Sequence, residues 1–103
     1  MEKYNPVVSK SKAFAIRCIK LNQYLKEEKH EYILSKQIIR SGTSIGANVK
    51  EAIRAESKAD FYHKLNLALK EADETSYWLE LLHEGNYISD NQFKTSTTIV
   101  LSL

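Results

Sequence analysis

The feature that most limits the possible folds of this chain is its scarcity of turn-forming residues. The 103 residues contain only three glycines and one proline. A sheet protein of this length needs many turns, whereas three or four long helices need only two or three. The length suits one domain, because domains span about 50 to 250 residues. The sequence therefore predicts a single all-α domain over residues 1–103.

Four segments show the apolar periodicity that is typical of helices. They predict helices over about residues 7–28, 31–55, 58–84 and 89–103. Potential capping boxes begin the third segment at Ser57 and the fourth at Ser89, and Gly85 follows the third. The fourth segment is rich in β-branched residues, which are poor helix formers, so we expect a short fourth helix.

One apolar stripe on each long helix predicts the core. The residues of the three stripes are Val7, Phe14, Cys18, Leu21 and Leu25; Leu34, Ile38, Ile45, Val49 and Ile53; and Phe61, Leu65, Ala68, Ala72, Leu79 and Leu82. The first and third helices also have apolar residues on a second face, which a monomeric bundle would leave polar. A second apolar face on so short a chain predicts a subunit interface in a homo-oligomer. The candidate interface residues are Ile16, Ile19, Leu67, Trp78 and Leu81.

Basic residues are concentrated in the first half of the chain. Residues 1–51 contain ten basic and five acidic side chains, and no acid lies between Lys3 and Lys26. Such a segment predicts an anionic partner, most commonly RNA or DNA. The candidate phosphate contacts are Lys10, Lys12, Arg17, Lys20, Lys36 and Arg40.

A competing interpretation is that these basic residues are compensated within the fold. In that case they would pair with acids of the third helix, such as Glu71, Glu74 and Glu80, and leave no free positive patch. The chain would then be a structural module that binds a protein partner. The two interpretations differ in whether the first helix keeps unpaired cations.

Motifs for catalysis, metal binding and phosphate loops are absent. No serine or cysteine has a base and an orienting acid at motif spacing, so we expect no enzyme activity and no catalytic residue. The pairs at Asp60/His63 and Glu80/His83 lie on one helix about 30 Å apart, so no metal site is expected. Gly42 and Gly46 lack the lysine and the preceding strand of a phosphate loop, so a close helix approach is the better interpretation and no cofactor is expected.

The only cysteine, Cys18, lies in an apolar stretch and cannot form an intrachain disulfide. The first twelve residues have no apolar leader region, and no run of 18 apolar residues occurs. We therefore expect a cytoplasmic protein that does not span a membrane.

A line of polar residues follows the second helix at intervals of three and four, away from its apolar stripe. Its members are Gln37, Arg40, Ser44, Asn48 and Glu51. These groups can bond to a neighbouring helix, across a subunit boundary or to a nucleic acid. Their small neighbours, glycine and alanine, favour a tightly packed helix contact.

Residues 40–52, 55–61, 68–75 and 77–79 resemble the four-helix-bundle proteins first noticed in intervening sequences of bacterial 23S ribosomal RNA genes. The most specific part is the pattern Ser-Ile-x-x-Asn-x-x-Glu. Ser44, Asn48 and Glu51 occupy these signature positions, and Arg40 is the basic residue before them. The resemblance implies that the signature serves folding and assembly.

The same resemblance implies an antiparallel up-and-down four-helix bundle that assembles into a homopentameric ring. It implies no enzymatic activity. It also implies kinship with the accessory variability proteins of diversity-generating retroelements, whose basic surfaces bind nucleic acid and a reverse transcriptase. We thus expect a non-enzymatic oligomeric bundle that binds RNA or DNA, with a protein-interaction ring as the alternative.

Overall fold

A computed structural model describes the backbone of residues 6–101 and the side chains of residues 6–98. It contains four α-helices: α1 (Pro6–Glu28), α2 (Leu34–Ile53), α3 (Lys58–Glu84) and α4 (Asp90–Leu101). The predicted all-α class and the short fourth helix are confirmed. Residues 102 and 103 of the predicted fourth helix lie outside the described residues.

The helices alternate in direction. Along α1, Ser11 faces Gly46, Cys18 faces Gly42 and Asn22 bonds to the backbone of Ser35, so α2 runs antiparallel to α1. α3 is antiparallel to α2, because Arg40 pairs with Glu71 and Glu51 with Lys64. α4 lies beside both α3 and α1. This arrangement is the up-and-down four-helix bundle that the resemblance implied.

The core lies between the helices and includes most of the predicted stripes. Phe14, Leu25, Ile38, Leu79 and Leu82 are almost completely buried. Burying such a side chain stabilises the fold by about 1.5 to 3 kcal/mol before its ordering entropy is counted. Small polar residues that the apolar pattern does not include share this core: Ser11, Asn22, Ser35, Ser41, Thr75 and Ser96.

Three predicted core residues are exposed to solvent. Val7 and Phe61 are each over a third exposed and Ile53 is half exposed, whereas Ala52 turns inward beside it. All three lie at the end of the bundle that the described part of α4 does not reach, because its 12 residues extend only about 18 Å. At that end three helices border an apolar groove of about 230 Å³. The prediction that these three residues belong to the core is wrong.

No helix among residues 6–101 combines the length and the apolar character needed to cross a bilayer.

Candidate nucleic-acid interface

Most candidate phosphate-binding residues lie on α1 and have no acidic partner among the described side chains. Lys10, Lys12 and Lys20 are exposed and Arg17 is half-buried. None of the ion pairs formed by the described side chains involves these four residues or Lys36, which is exposed on α2. α1 packs beside α2 and α4, and none of the ion pairs among the described side chains joins it to an acid of α3.

Arg40 differs from the other candidates because α3 compensates its charge. Its guanidinium contacts the carboxylates of Glu71, at 3.4 Å, and Glu74. The hydrogen bond with Glu74, followed by the attraction of both carboxylates, raises the pKa of Arg40. The competing interpretation, in which acids of the third helix pair with the basic residues, is therefore correct for Arg40. The cations of α1 have no such partner among the described residues.

Arg17 and Lys20 border a groove of about 460 Å³ between α1 and α4. Arg17 Nε donates a hydrogen bond of 2.9 Å to Oγ of the buried Ser96, which fixes the guanidinium at the edge of α4. No acidic residue occurs among the described residues that line the groove. The lining residues are Ala13, Ile16, Arg17, Lys20, Leu21, Tyr24, Gln92 and Ser96.

Lys12 lies on the other side of α1, where a groove of about 360 Å³ separates α1 from α2. Lys50 of α2 borders the same groove, whose floor consists of small residues such as Ala15 and Gly46. Sequence reasoning missed Lys50, because only the antiparallel pairing of the two helices brings it beside Lys12. Three of the basic candidates therefore border two different grooves along α1: Arg17 and Lys20 border one, and Lys12 borders the other.

The signature residues form hydrogen bonds within α2 and an ion pair with α3. Ser44 Oγ donates to the carbonyl of Arg40 and Asn48 Nδ2 to that of Ser44, both within α2. Glu51 accepts a 2.7 Å ion-pair hydrogen bond from Lys64 of α3, which raises the pKa of that lysine. Two sets of ion pairs therefore join α2 to α3. Arg40 of α2 is the cation in one, and Glu51 of α2 is the anion in the other.

The candidate interface residues differ in exposure. Ile16 and Ile19 are 45% and 40% exposed on α1, so a second subunit could reach them. Leu67 and Leu81 are half-buried, and Trp78 packs against the core with its indole nitrogen buried and unbonded.

The most exposed apolar and aromatic residues of α3 are instead Tyr62, Leu69 and Tyr77, each more than half exposed. Their spacings of seven and eight residues place them on one face, a signal that sequence reasoning missed. A subunit interface at the predicted residues stays a prediction.

Two of the histidines have local partners. His83 Nε2 lies 2.6 Å from Oδ1 of Asp90, and its ring stacks on Phe93. His30 Nδ1 lies 3.3 Å from the hydroxyl of Tyr32. Within the described part of the chain, no three His, Cys, Asp or Glu side chains come close enough to hold a metal ion.

The chain has antiparallel helices, a cationic α1 and a polar motif that joins α2 to α3. It is therefore a small helical-bundle protein with a basic surface. Residues 3–101 match the family described as 23S rRNA-intervening sequence protein, and the chain belongs to that family. The resemblance stated from the motif residues is thereby confirmed.

A solved structure has the same fold at a TM-score of 0.92 and 51% sequence identity. The match covers 93% of this chain and 89% of the other, a protein from Bacteroides thetaiotaomicron described as having unknown function and belonging to the S23 ribosomal protein family. No curated protein matches this chain.

Proposed function

We propose that this protein is a non-enzymatic homo-oligomeric bundle that binds RNA or DNA through the basic surface of α1. The observation that supports the proposal most directly is the set of unpaired cations on that helix. Lys10, Lys12, Arg17 and Lys20 lie within three turns of one another and have no acidic partner among the described residues. Like charges held this close raise the local positive potential and attract a polyanion.

The binding is directed at the phosphate backbone. Recognition of base sequence in RNA requires edge contacts or a dedicated module, and the chain has no aromatic-and-basic motif of such a module. Phosphate contacts position a nucleic acid without reading it. We therefore expect affinity that depends strongly on salt and weakly on sequence.

Exposed apolar residues on two different helices support assembly. Ile16 and Ile19 are exposed on α1, and Tyr62, Leu69 and Tyr77 on α3. Two unlike patches on one subunit suit a head-to-tail contact, which generates a ring when the rotation closes. A ring repeats α1 around its axis and so multiplies the phosphate-binding sites. Five subunits is the number that the family resemblance implies.

A salt titration tests phosphate binding. Fluorescence anisotropy of a labelled RNA hairpin is measured between 50 and 200 mM salt. Five contacts, from Lys10, Lys12, Arg17, Lys20 and Lys36, should give a slope of log K against log salt of about −3.5 to −4.5. An affinity that does not change with salt would contradict the proposal.

A pair of double variants tests where the RNA binds. The double variant Lys12→Gln with Lys20→Gln removes two exposed charges from α1. The slope of log K against log salt should become shallower by about the amount expected for two phosphate contacts. The matched control, Lys58→Gln with Lys70→Gln, removes two exposed charges from α3 and should reduce it less. Equal losses would show that net charge, and not α1, determines binding.

Light-scattering mass, with and without RNA, tests assembly together with binding. A mass of several subunits that increases with RNA at low salt supports both parts of the proposal. An oligomer whose mass does not change favours a protein-interaction ring. A monomer contradicts the assembly.

A further inference from the structure

The groove between α1 and α4 has the features of a ligand site, which the phosphate-binding proposal does not use. At about 460 Å³ it falls within the range of about 300 to 1,000 Å³ that is usual for ligand pockets. One wall consists of side chains of α1 from Ala13 to Tyr24, and the other of Gln92 and Ser96 of α4.

The polar groups of this groove are arranged to donate hydrogen bonds. Arg17 Nε is bonded to Ser96, and neither terminal guanidinium nitrogen has a hydrogen-bond partner among the described residues. Lys20 lies almost one helical turn further along α1. Gln92 Oε1 accepts from the backbone nitrogen of Ser89, so the amide nitrogen of Gln92 remains as the donor. Two cations in a lining that contains no acid among the described residues complement an anion such as phosphate.

The remaining lining is apolar and aromatic. Ile16, nearly half exposed, and Leu21 line the α1 wall together with the partly buried ring of Tyr24. An apolar wall adds nothing to the binding of a phosphate, but it favours the binding of a weakly hydrated group beside it. A nucleotide has this combination, because its charged phosphate and its planar base lie on opposite sides of the sugar.

We propose that the α1/α4 groove binds one unstacked nucleotide of a single-stranded nucleic acid. Arg17 and Lys20 hold its phosphate, and Tyr24 and Leu21 contact its base. This inference rests on the proposed function and narrows it to single strands at this groove, because bases inside a duplex are stacked and cannot enter. Contact between a base and an aromatic side chain tolerates any of the bases.

Two oligonucleotides of equal charge separate base binding from phosphate binding. The probes are fluorescein-labelled penta-uridylate and a five-nucleotide ribose-phosphate chain in which every base is missing. We expect the penta-uridylate to bind about tenfold more tightly or better at the same salt concentration, since one base on an aromatic side chain commonly contributes that much. Equal affinities would overturn the groove proposal and leave phosphate binding intact.

Two single-charge variants locate the effect. Arg17→Gln removes the cation of this groove, whereas Lys12→Gln removes one from the α1/α2 groove. Both should weaken the abasic chain similarly, and Arg17→Gln alone should also reduce the tenfold preference for bases. A preference that survives Arg17→Gln would place base binding elsewhere.

The ring of Tyr24 is tested by Tyr24→Leu, which keeps an apolar side chain against the core. We expect a thermal unfolding transition near that of the unchanged protein and a preference for penta-uridylate lowered about fivefold or more. An unchanged preference in the folded variant would exclude Tyr24 as the base contact. If Tyr24→Leu unfolds, the Arg17 and Lys12 variants still decide the proposal.

A last comparison separates failure of this inference from failure of the proposed function. A duplex of the same length that binds as tightly as penta-uridylate would overturn the preference for single strands while keeping phosphate binding. An absence of binding by every probe at 50 mM salt would overturn the proposed function and this inference with it.

Discussion

Gly42 and Gly46 lie four residues apart on α2, yet their surroundings differ. A Cβ on Gly42 would overlap Sγ of Cys18 and come within 3.0 Å of the Cβ of that residue. A Cβ on Gly46 would meet the atoms of Ser11 at 3.4 to 3.5 Å, close to ordinary van der Waals contact. The sequence predicted a close helix approach over both glycines, and the structure confirms it with α1 as the partner. Only at Gly42 does the approach exclude a side chain.

This difference predicts opposite effects of alanine. Gly42→Ala should lower the free energy of unfolding by about 1 to 3 kcal/mol, because overpacking outweighs the better helix propensity of alanine. Gly46→Ala is the matched control and should be neutral or stabilising by up to about 1 kcal/mol. Urea unfolding at equal protein concentration measures both. If Gly46→Ala costs as much as Gly42→Ala, the contact with Cys18 is not what distinguishes the two sites.

Because Cys18 is buried, its thiol makes the free energy of unfolding depend on pH. Desolvation raises the pKa of its thiol to about 12, against a smaller lowering effect of Arg17. Between about pH 8.5, where an exposed thiol ionises, and pH 12 the unfolded chain releases a proton that the folded chain keeps. Thiol ionisation thus favours unfolding in this range by up to about 1.4 kcal/mol per pH unit, and it has no effect below pH 8.

We therefore expect the free energy of unfolding to fall more steeply above pH 9 in the unchanged protein than in Cys18→Ala. All other residues are the same in the two proteins, so the difference between the two curves isolates the thiol. Denaturant unfolding at pH 7, 9 and 10 measures it. Parallel curves would mean that the Cys18 thiol ionises as readily in the fold as in the unfolded chain.

At the level of helices, the predicted boundaries are most accurate where capping follows common rules. Ser57 Oγ accepts from the backbone nitrogen of Asp60, and Ser89 and Gln92 cap α4 reciprocally, as their spacing predicted. The start of α2 was predicted at Glu31 and lies at Leu34. There the backbone reverses at His30, which has a φ of 53°, a conformation that side-chain periodicity does not indicate.

Glu31 caps α2 from outside the helix. Its buried carboxylate accepts hydrogen bonds from the backbone nitrogens of Ile33, Leu34 and Ser35 at 3.2, 2.9 and 2.8 Å. A negative charge also interacts favourably with the positive end of the helix dipole. Serine, threonine, aspartate and asparagine are the usual capping residues. A glutamate with this role is therefore hard to identify from sequence.

Removal of this cap should destabilise the bundle. We expect Glu31→Ala to lower the free energy of unfolding by about 1 to 2 kcal/mol, because it leaves backbone donors of α2 without partners. Glu28→Ala, an exposed acid at the end of α1, is the control and should change stability by less than about 0.5 kcal/mol. Chemical denaturation of the two variants compares them. Equal losses would indicate a general charge effect.

At the level of the whole molecule, the sequence predicted acids of the third helix as possible partners of the basic residues, but not which basic residue meets them. Arg40 meets Glu71 and Glu74 more than thirty positions away, and Arg17 meets Ser96 at a still larger separation. Such contacts depend on helix order and register, which apolar periodicity does not specify. The fold class follows from local patterns, whereas the grooves on α1 are products of packing.

The same limit applies to the predicted subunit interface. A stripe of apolar residues indicates that a helix has a second buried face but not whether its own chain or another covers it. Trp78 was predicted at a subunit boundary, and in the structure its ring is partly covered by the core of its own chain. Leu69 lies on the exposed face of α3 and is nearly two-thirds accessible.

These positions predict different outcomes for two variants of α3. Trp78→Ala should lower the melting temperature of the chain, because it removes packing worth about 2 to 4 kcal/mol. Leu69→Lys should reduce the light-scattering mass and leave a folded, helical subunit, since an exposed lysine disfavours an apolar contact between subunits. Asn91→Lys, an exposed position on α4, is the control for added charge. If Leu69→Lys keeps the full mass while Trp78→Ala dissociates into folded subunits, the interface of α3 is centred on Trp78 and not on its exposed face.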